Sequence, residues 1–145
     1  MKKLSFLIMI AVFMLTSACS VVDEVNQSLD YVNEANSLLN SMSEFAENAP
    51  GLVENAATDP EIRTELENQV NTLTENIEEF NNIDAPAVAE DLHQDLVSKN
   101  EELLNQFEQV QQDGEVMVEE IKNSEIFQTV EDITSLIDAV EKLEL

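Results

Sequence analysis

Cys19 is the one cysteine in the chain, and its neighbours decide what its sulfur can do. It ends the run Leu15-Thr16-Ser17-Ala18-Cys19, behind Lys2, Lys3 and an apolar stretch from Leu4 to Leu15 broken only by Ser5. A thiolate is the side-chain nucleophile that can take up a diacylglyceryl group as a thioether. A basic start, a short apolar segment and small residues before a cysteine read as a lipoprotein signal peptide. The expected order is export, acylation of Cys19 with palmitate-type chains, and cleavage before it. Leu ordinarily stands three positions before such a cysteine; Thr16 stands there in this chain. Leu4 to Ala18 covers roughly 22 Å as helix, against a hydrocarbon core of about 30 Å, which is too short to span comfortably. One acyl chain holds a protein marginally, whereas two or three anchor it stably. Once acylated, Cys19 is closed to disulfides and metals.

The other residues capable of chemistry form no constellation. His93 is the single histidine, in Glu90-Asp91-Leu92-His93. A Glu-x-x-His spacing on a helix puts both side chains on one face, as di-iron carboxylate bundles do, but those bundles use the motif twice. No second histidine exists, so His93 is expected to be a solvated or partly buried helix residue. Gly51 and Gly114 are the only glycines, which leaves no glycine-rich phosphate loop and no Gly-x-Ser-x-Gly elbow. Adjacent carboxylates such as Glu78-Glu79, Glu101-Glu102 and Glu119-Glu120 are solvated helix faces; glycosidase chemistry needs two carboxyls across a cleft with separated pKa values. No catalytic, cofactor or metal site is expected, and the chain is expected not to be an enzyme.

Charge narrows the partners. The chain carries 31 acidic and 6 basic side chains, a formal net charge of −25. Every acid lies after Ala18, while Lys2 and Lys3 leave with the signal, so the mature chain is two charges more negative still. Such a surface repels nucleic-acid phosphates and anionic headgroups, which excludes nucleic acid as a non-specific partner. A solubilising coat is the simplest role for the charge.

High charge invites disorder, but apolar periodicity opposes it. Val25, Leu29, Val32, Ala35, Leu38, Met42, Phe45 and Ala49 recur at steps of three and four, one face of a long helix. Tyr31 lies beside that stripe, at its edge or on a contact surface. Ala49-Pro50-Gly51 is expected to stop the helix, with a short helical piece over Leu52 to Ala57. Asp59 and Pro60 read as N-cap and first turn of a second helix with stripe Ile62, Leu66, Val70, Leu73, Ile77 and Phe80. Asn81 to Asp84 ends it, and Asp84-Ala85-Pro86 is expected to open a third helix in similar fashion. That helix carries Val88, Leu92, Leu96, Leu103, Phe107 and Val110, interrupted by Lys99-Asn100 and closed by Asp113-Gly114.

Glu115 to Lys122 suits two helical turns around Val116, Val118 and Ile121. Asn123-Ser124 offers an N-cap for the last helix, whose stripe is Ile126, Val130, Ile133, Ile137, Val140 and Leu143, with Phe127 beside it. The second and third helices match at several positions counted from Pro60 and Pro86, which reads as convergence of pattern. No strand is expected. The fold class is all-α: an antiparallel up-down bundle of four main helices with one or two short extra helical segments. Residues 1–18 form the signal peptide, and 19–145 the acidic helical-bundle domain.

Three stretches carry a resemblance: Leu29-Asp30-Tyr31-Val32-Asn33-Glu34-Ala35, the run from Phe80 through Pro86 to His93, and Ser124-Glu125-Ile126-Phe127-Gln128-Thr129. Together they resemble an uncharacterised family of small helical lipoproteins from Bacillus-type Gram-positive bacteria, over nearly the whole chain. The resemblance implies a lipid anchor at Cys19, on the extracytoplasmic face of the cell membrane, and supplies no activity. The expected function is a membrane-tethered, non-catalytic lipoprotein that scaffolds or contacts an unknown envelope protein. The alternative is a lipoprotein binding a small molecule or cation for a transporter.

Overall fold

The computed structural model describes residues 18–112 and 115–140, with side chains described from Ser28 onward. The expected signal segment through Ser17, the Asp113-Gly114 stop and Leu143 lie outside the described residues. The elements in chain order are α1 (Ala18–Asn55), α2 (Pro60–Asn81), α3 (Glu90–Gln109), β1 (Gln111–Gln112), β2 (Glu115–Val116), α4 (Val118–Asn123) and α5 (Ile126–Val140). The all-α expectation holds, with four main helices and one short one.

Helix α1 packs chiefly on α2 and α5, and α3 packs chiefly on α5. Tyr31 near the start of α1 meets Phe80 at the end of α2, while Ser41 meets Asn76, so α1 and α2 run antiparallel. Lys99 reaches Asp132 and Gln106 reaches Thr129, which sets α3 antiparallel to α5. The apolar stripes converge on one core that includes Leu38, Met42, Phe45, Leu66, Leu73, Leu96, Leu103, Ile126 and Ile133. Each such aliphatic or aromatic side chain contributes about 1.5–3 kcal/mol of burial before entropy is subtracted.

Four expectations need correction. Pro50 does not end the first helix: α1 continues through it to Asn55 and absorbs the separate piece expected at Leu52 to Ala57. The missing Pro50 N–H leaves the Ala46 carbonyl without its helical donor, but Ala46 and Pro50 face solvent, where water can satisfy it. Ala49, Val53 and Ala56 are buried and hold the stripe in register past the proline.

The third helix begins at Glu90, not beside Asp84, and its cap position is Ala89. Pro86 instead opens a turn closed by the Ala89 N–H on the Pro86 carbonyl at 2.8 Å. Val88 falls on that turn and is exposed, while Ala89 is buried in its place.

The helix also ends early, at Gln109, and a two-residue hairpin follows, pairing Gln111 with Val116 and Gln112 with Glu115. Two residues per strand are too few to show alternation in the sequence. The Glu67 carboxylate accepts from the Val116 N–H at 3.3 Å and ties the hairpin to α2.

At the start of α1 the buried seam is Ser28, Tyr31, Ala35 and Leu38, so Tyr31 belongs to the core and Leu29 is 56 % exposed. The expected and observed stripes coincide from Ala35 onward; before it the buried positions lie one residue earlier, at Ser28 and Tyr31, with Val32 partly buried beside them.

Other local signals hold. The Asp59 carboxylate accepts from the N–H groups of Glu61 at 2.9 Å and Ile62 at 3.4 Å, with Pro60 at the first helical position. Ser124 Oγ accepts from the Ile126 N–H at 3.4 Å where α5 begins. Between α2 and α3 the burial pattern of residues 61–80 recurs over 91–110, a spacing of thirty residues rather than one set by the prolines. In that alignment Asn100 fills the buried slot that Val70 fills in α2.

Candidate functional site

Cys19 is the second residue of α1, so the residue expected to carry lipid sits in the first turn of a helix that runs unbroken into the core. Its side chain lies outside the described ones. From Cys19 to Tyr31 the helix rises about 18 Å at roughly 1.5 Å per residue. No helix among the described residues is long and apolar enough to cross a membrane.

His93 lies in the first turn of α3 and is half-buried against two aromatic rings from other helices. The Tyr31 ring meets it edge-on at 5.7 Å between centroids, the Phe80 ring lies at 5.3 Å, and the Tyr31 hydroxyl is 3.5 Å from Nδ1. Burial holds the His93 pKa below its usual value and pushes the Tyr31 phenol up to about 12. Both therefore favour their neutral forms, as a packing cluster requires. Glu90, one turn before His93, is exposed. Among the described residues no group of three or more His, Cys, Asp or Glu side chains is arranged to hold a metal ion.

The basic side chains described are all engaged. Lys99 bonds Glu102 at 2.8 Å and lies 3.6 Å from Asp132; the Glu102 hydrogen bond and charge are the main causes that hold its ammonium pKa above the usual range. Lys122 pairs with Glu119 at 3.0 Å. Arg63 donates through Nε and Nη2 to the Ala56 carbonyl, both at 3.3 Å, where a cation is favoured just past the C-terminal end of α1. Such exposed pairs stabilise little, but they shield the few positive charges within a mostly anionic surface.

Two surface grooves frame α5. A polar one of about 910 Å³ runs between α3 and the α4–α5 connection, lined by Glu101, Glu102, Gln106, Glu120, Asn123 and Glu125. A more apolar one of about 420 Å³ lies between α1 and α5, floored by Ala46, Pro50, Phe127 and Val130 and edged by Glu47 and Glu131. Phe127, beside its stripe as expected, stacks on Phe45 at 5.9 Å and closes the bottom of this groove. Both grooves offer oxygen acceptors that suit hydrogen-bond donors and cations.

Sequence reasoning missed the buried amides. Gln69 Oε1, Asn100 Oδ1 and Gln106 Oε1 are buried with no protein donor. Only Asn100 left a sequence signal, as the polar break in an apolar stripe.

A family of unknown function (DUF6376) matches residues 31–143. The chain is 32 % identical over 128 residues to the uncharacterized lipoprotein YybP of Bacillus subtilis (strain 168), an alignment covering 86 % of each. No solved structure matches the chain.

Proposed function

This chain belongs to the DUF6376 family of unknown function, and from that premise we propose that it is a membrane-tethered lipoprotein that acts without catalysis as an interaction module at the cell envelope. The observation that carries the reading is the placement of Cys19. The residue that a signal of this type acylates stands in the first turn of the helix that forms one wall of the core. Similarity to a relative named as a lipoprotein supports the same chemistry. On this reading residues 1–18 are removed, Cys19 carries lipid through its sulfur, and the domain stands on the extracytoplasmic face of the membrane.

An interaction role accords with what the surface offers: carboxylates and amides in open grooves, a fold closed by its own apolar residues, and a charge that disfavours nucleic acid. The test has two parts, both on the full chain in its own membrane. Mass spectrometry of the mature N-terminus should find residue 19 acylated, and Cys19→Ala should abolish both the lipid mass and the cleavage. Crosslinking and co-purification of the lipidated form should recover one stoichiometric partner that Cys19→Ala loses. A correctly matured, membrane-bound Cys19→Ala protein would sink the anchor. An acylated protein that retains no partner and melts higher with an added small molecule or cation would replace the interaction role with ligand delivery.

A further inference from the structure

The groove between α1 and α5 has a floor and a rim that call for different chemistry. Ala46, Pro50, Phe127 and Val130 form the floor, while Glu47 on α1 and Glu131 on α5 edge it from opposite helices. Glu47 and Glu131 are exposed, and neither belongs to an ion pair among the described residues. With Phe127 stacked on Phe45, the rest of its ring surface lines the groove. Pro50 adds a third requirement. It stands inside a helix and leaves the Ala46 carbonyl without its helical N–H. Both residues line the groove, so an open backbone acceptor lies at its floor.

These features decide which occupant fits. A purely apolar group would cover the floor and displace water from the Ala46 carbonyl without giving a donor back, and a buried acceptor left unmet is costly. Anionic headgroups of a bilayer would face Glu47 and Glu131. A second copy of the chain brings the same negative surface, and its Arg63, Lys99 and Lys122 are already bonded within the fold. An arginine side chain from another protein meets all the demands. Its alkyl stem covers apolar floor, its guanidinium lies against an aromatic ring, and its several N–H donors serve both carboxylates and the carbonyl.

We propose that this groove is the docking site for an arginine-bearing segment of a partner protein, with Glu47 and Glu131 as the anionic partners of its guanidinium. The inference rests on the interaction reading and names the chemistry of the partner. It also gives Pro50 a role. A residue that costs the helix stability stands where its missing N–H frees an acceptor, and local rules are broken at functional sites when something is gained there. Docking through exposed carboxylates weakens as ionic strength rises.

The experiment titrates the detergent-extracted full chain, isotopically labelled, with a capped Leu-Arg-Leu peptide and follows backbone amide NMR shifts. Shifts should concentrate at the groove, and a Leu-citrulline-Leu peptide, uncharged but of the same shape, should bind far more weakly. Glu47→Gln combined with Glu131→Gln should weaken arginine binding about fivefold or more, as the loss of two partly screened charge pairs implies. Glu101→Gln with Glu120→Gln, the same change of charge on the polar groove, should leave it unchanged at moderate salt. Pro50→Ala should weaken binding several-fold while stabilising the fold, a divergence that a merely structural role for the proline would not give. Equal affinity for the two peptides overturns the proposal in favour of a simple apolar groove. Shifts spread evenly over the acidic faces overturn it in favour of diffuse counterion binding, and absence of shifts at the groove overturns it as well. A partner that the Glu47, Glu131 double variant recovers from its own membrane as well as wild type overturns the groove alone. Failure of the interaction reading looks different: wild type itself then recovers no partner.

Discussion

The Tyr31 hydroxyl lies 3.5 Å from Nδ1 of His93, and the two rings meet edge-on. This contact joins the first third of α1 to the first turn of α3, and Phe80 at the end of α2 touches both rings. One cluster therefore fastens three helices at the end of the bundle nearest Cys19. A break there would loosen the domain just where α1 enters it. Edge-to-face aromatic pairs contribute about 0.5–1.5 kcal/mol beyond their buried area.

His93 gives that cluster an acid-sensitive member. Burial lowers its folded pKa below the usual value, so the unfolded chain binds the proton more readily. The stability His93 contributes is full above its unfolded pKa of about 6.5 and is lost as pH falls through the folded value. Protonating the many carboxylates relieves repulsion and works in the opposite direction. Melting temperatures of wild type and His93→Gln across pH 7 to 5 separate the two effects. The wild type should lose stability relative to the variant on acidification, and parallel curves would show that His93 does not couple to folding.

Asn100 is fully buried and half satisfied: its Nδ2 donates to Asn81 Oδ1 at 2.7 Å, while its own Oδ1 has no protein donor. An unmet buried acceptor costs about 1–3 kcal/mol. Asn81 is only partly buried and can turn to water. Asn100→Val puts in α3 the residue that α2 carries at the matching slot, and it should stabilise the fold by about 1 kcal/mol in urea titration. A loss of stability would show that a bound water serves the Oδ1.

What the sequence made legible follows the range of each interaction. Stripes at steps of three and four marked every main helix, because burial of one face is written along the chain. Asp59-Pro60 read correctly since cap and first helical residue are adjacent. Asp84-Ala85-Pro86 misled, as the intervening Ala85 puts the proline one place further from a cap. Pro50 misled for another reason: local backbone rules predict a stop, and only packing of Val53 and Ala56 on the rest of the core overrides it. Tyr31 stood one residue off the expected stripe, and its partner His93 lies 62 residues away, beyond any periodicity. The reading of Cys19 draws on its immediate neighbours alone.

The Asp59 cap should be worth what its geometry implies. Its carboxylate satisfies two N–H groups that the first turn of α2 otherwise leaves open. Asp59→Ala should cost about 1 kcal/mol, and Asp59→Ser should recover most of that. Urea midpoints of the three proteins check it, and equal midpoints for Ala and Ser would mean that Pro60 alone sets the helix start.

Pro50 and Gly51 are weak links within one exposed turn of α1, and relaxing each should stabilise the domain. A proline in a helix interior costs about 3 kcal/mol through its lost hydrogen bond and ring clash. Pro50→Ala restores a donor for the Ala46 carbonyl and should recover about 1–3 kcal/mol, less than the full cost because that carbonyl is already solvated. Gly51 has no heavy atom within 4 Å of where a Cβ would stand, so Gly51→Ala meets no clash. It should add about 0.5–1 kcal/mol by reducing the freedom of the unfolded chain. The sites are adjacent, so the double variant need not be additive. Chemical denaturation of both single variants decides the matter. A Pro50→Ala protein less stable than wild type would mean that α1 depends on the proline's fixed backbone angle to carry its stripe from Ala49 to Val53.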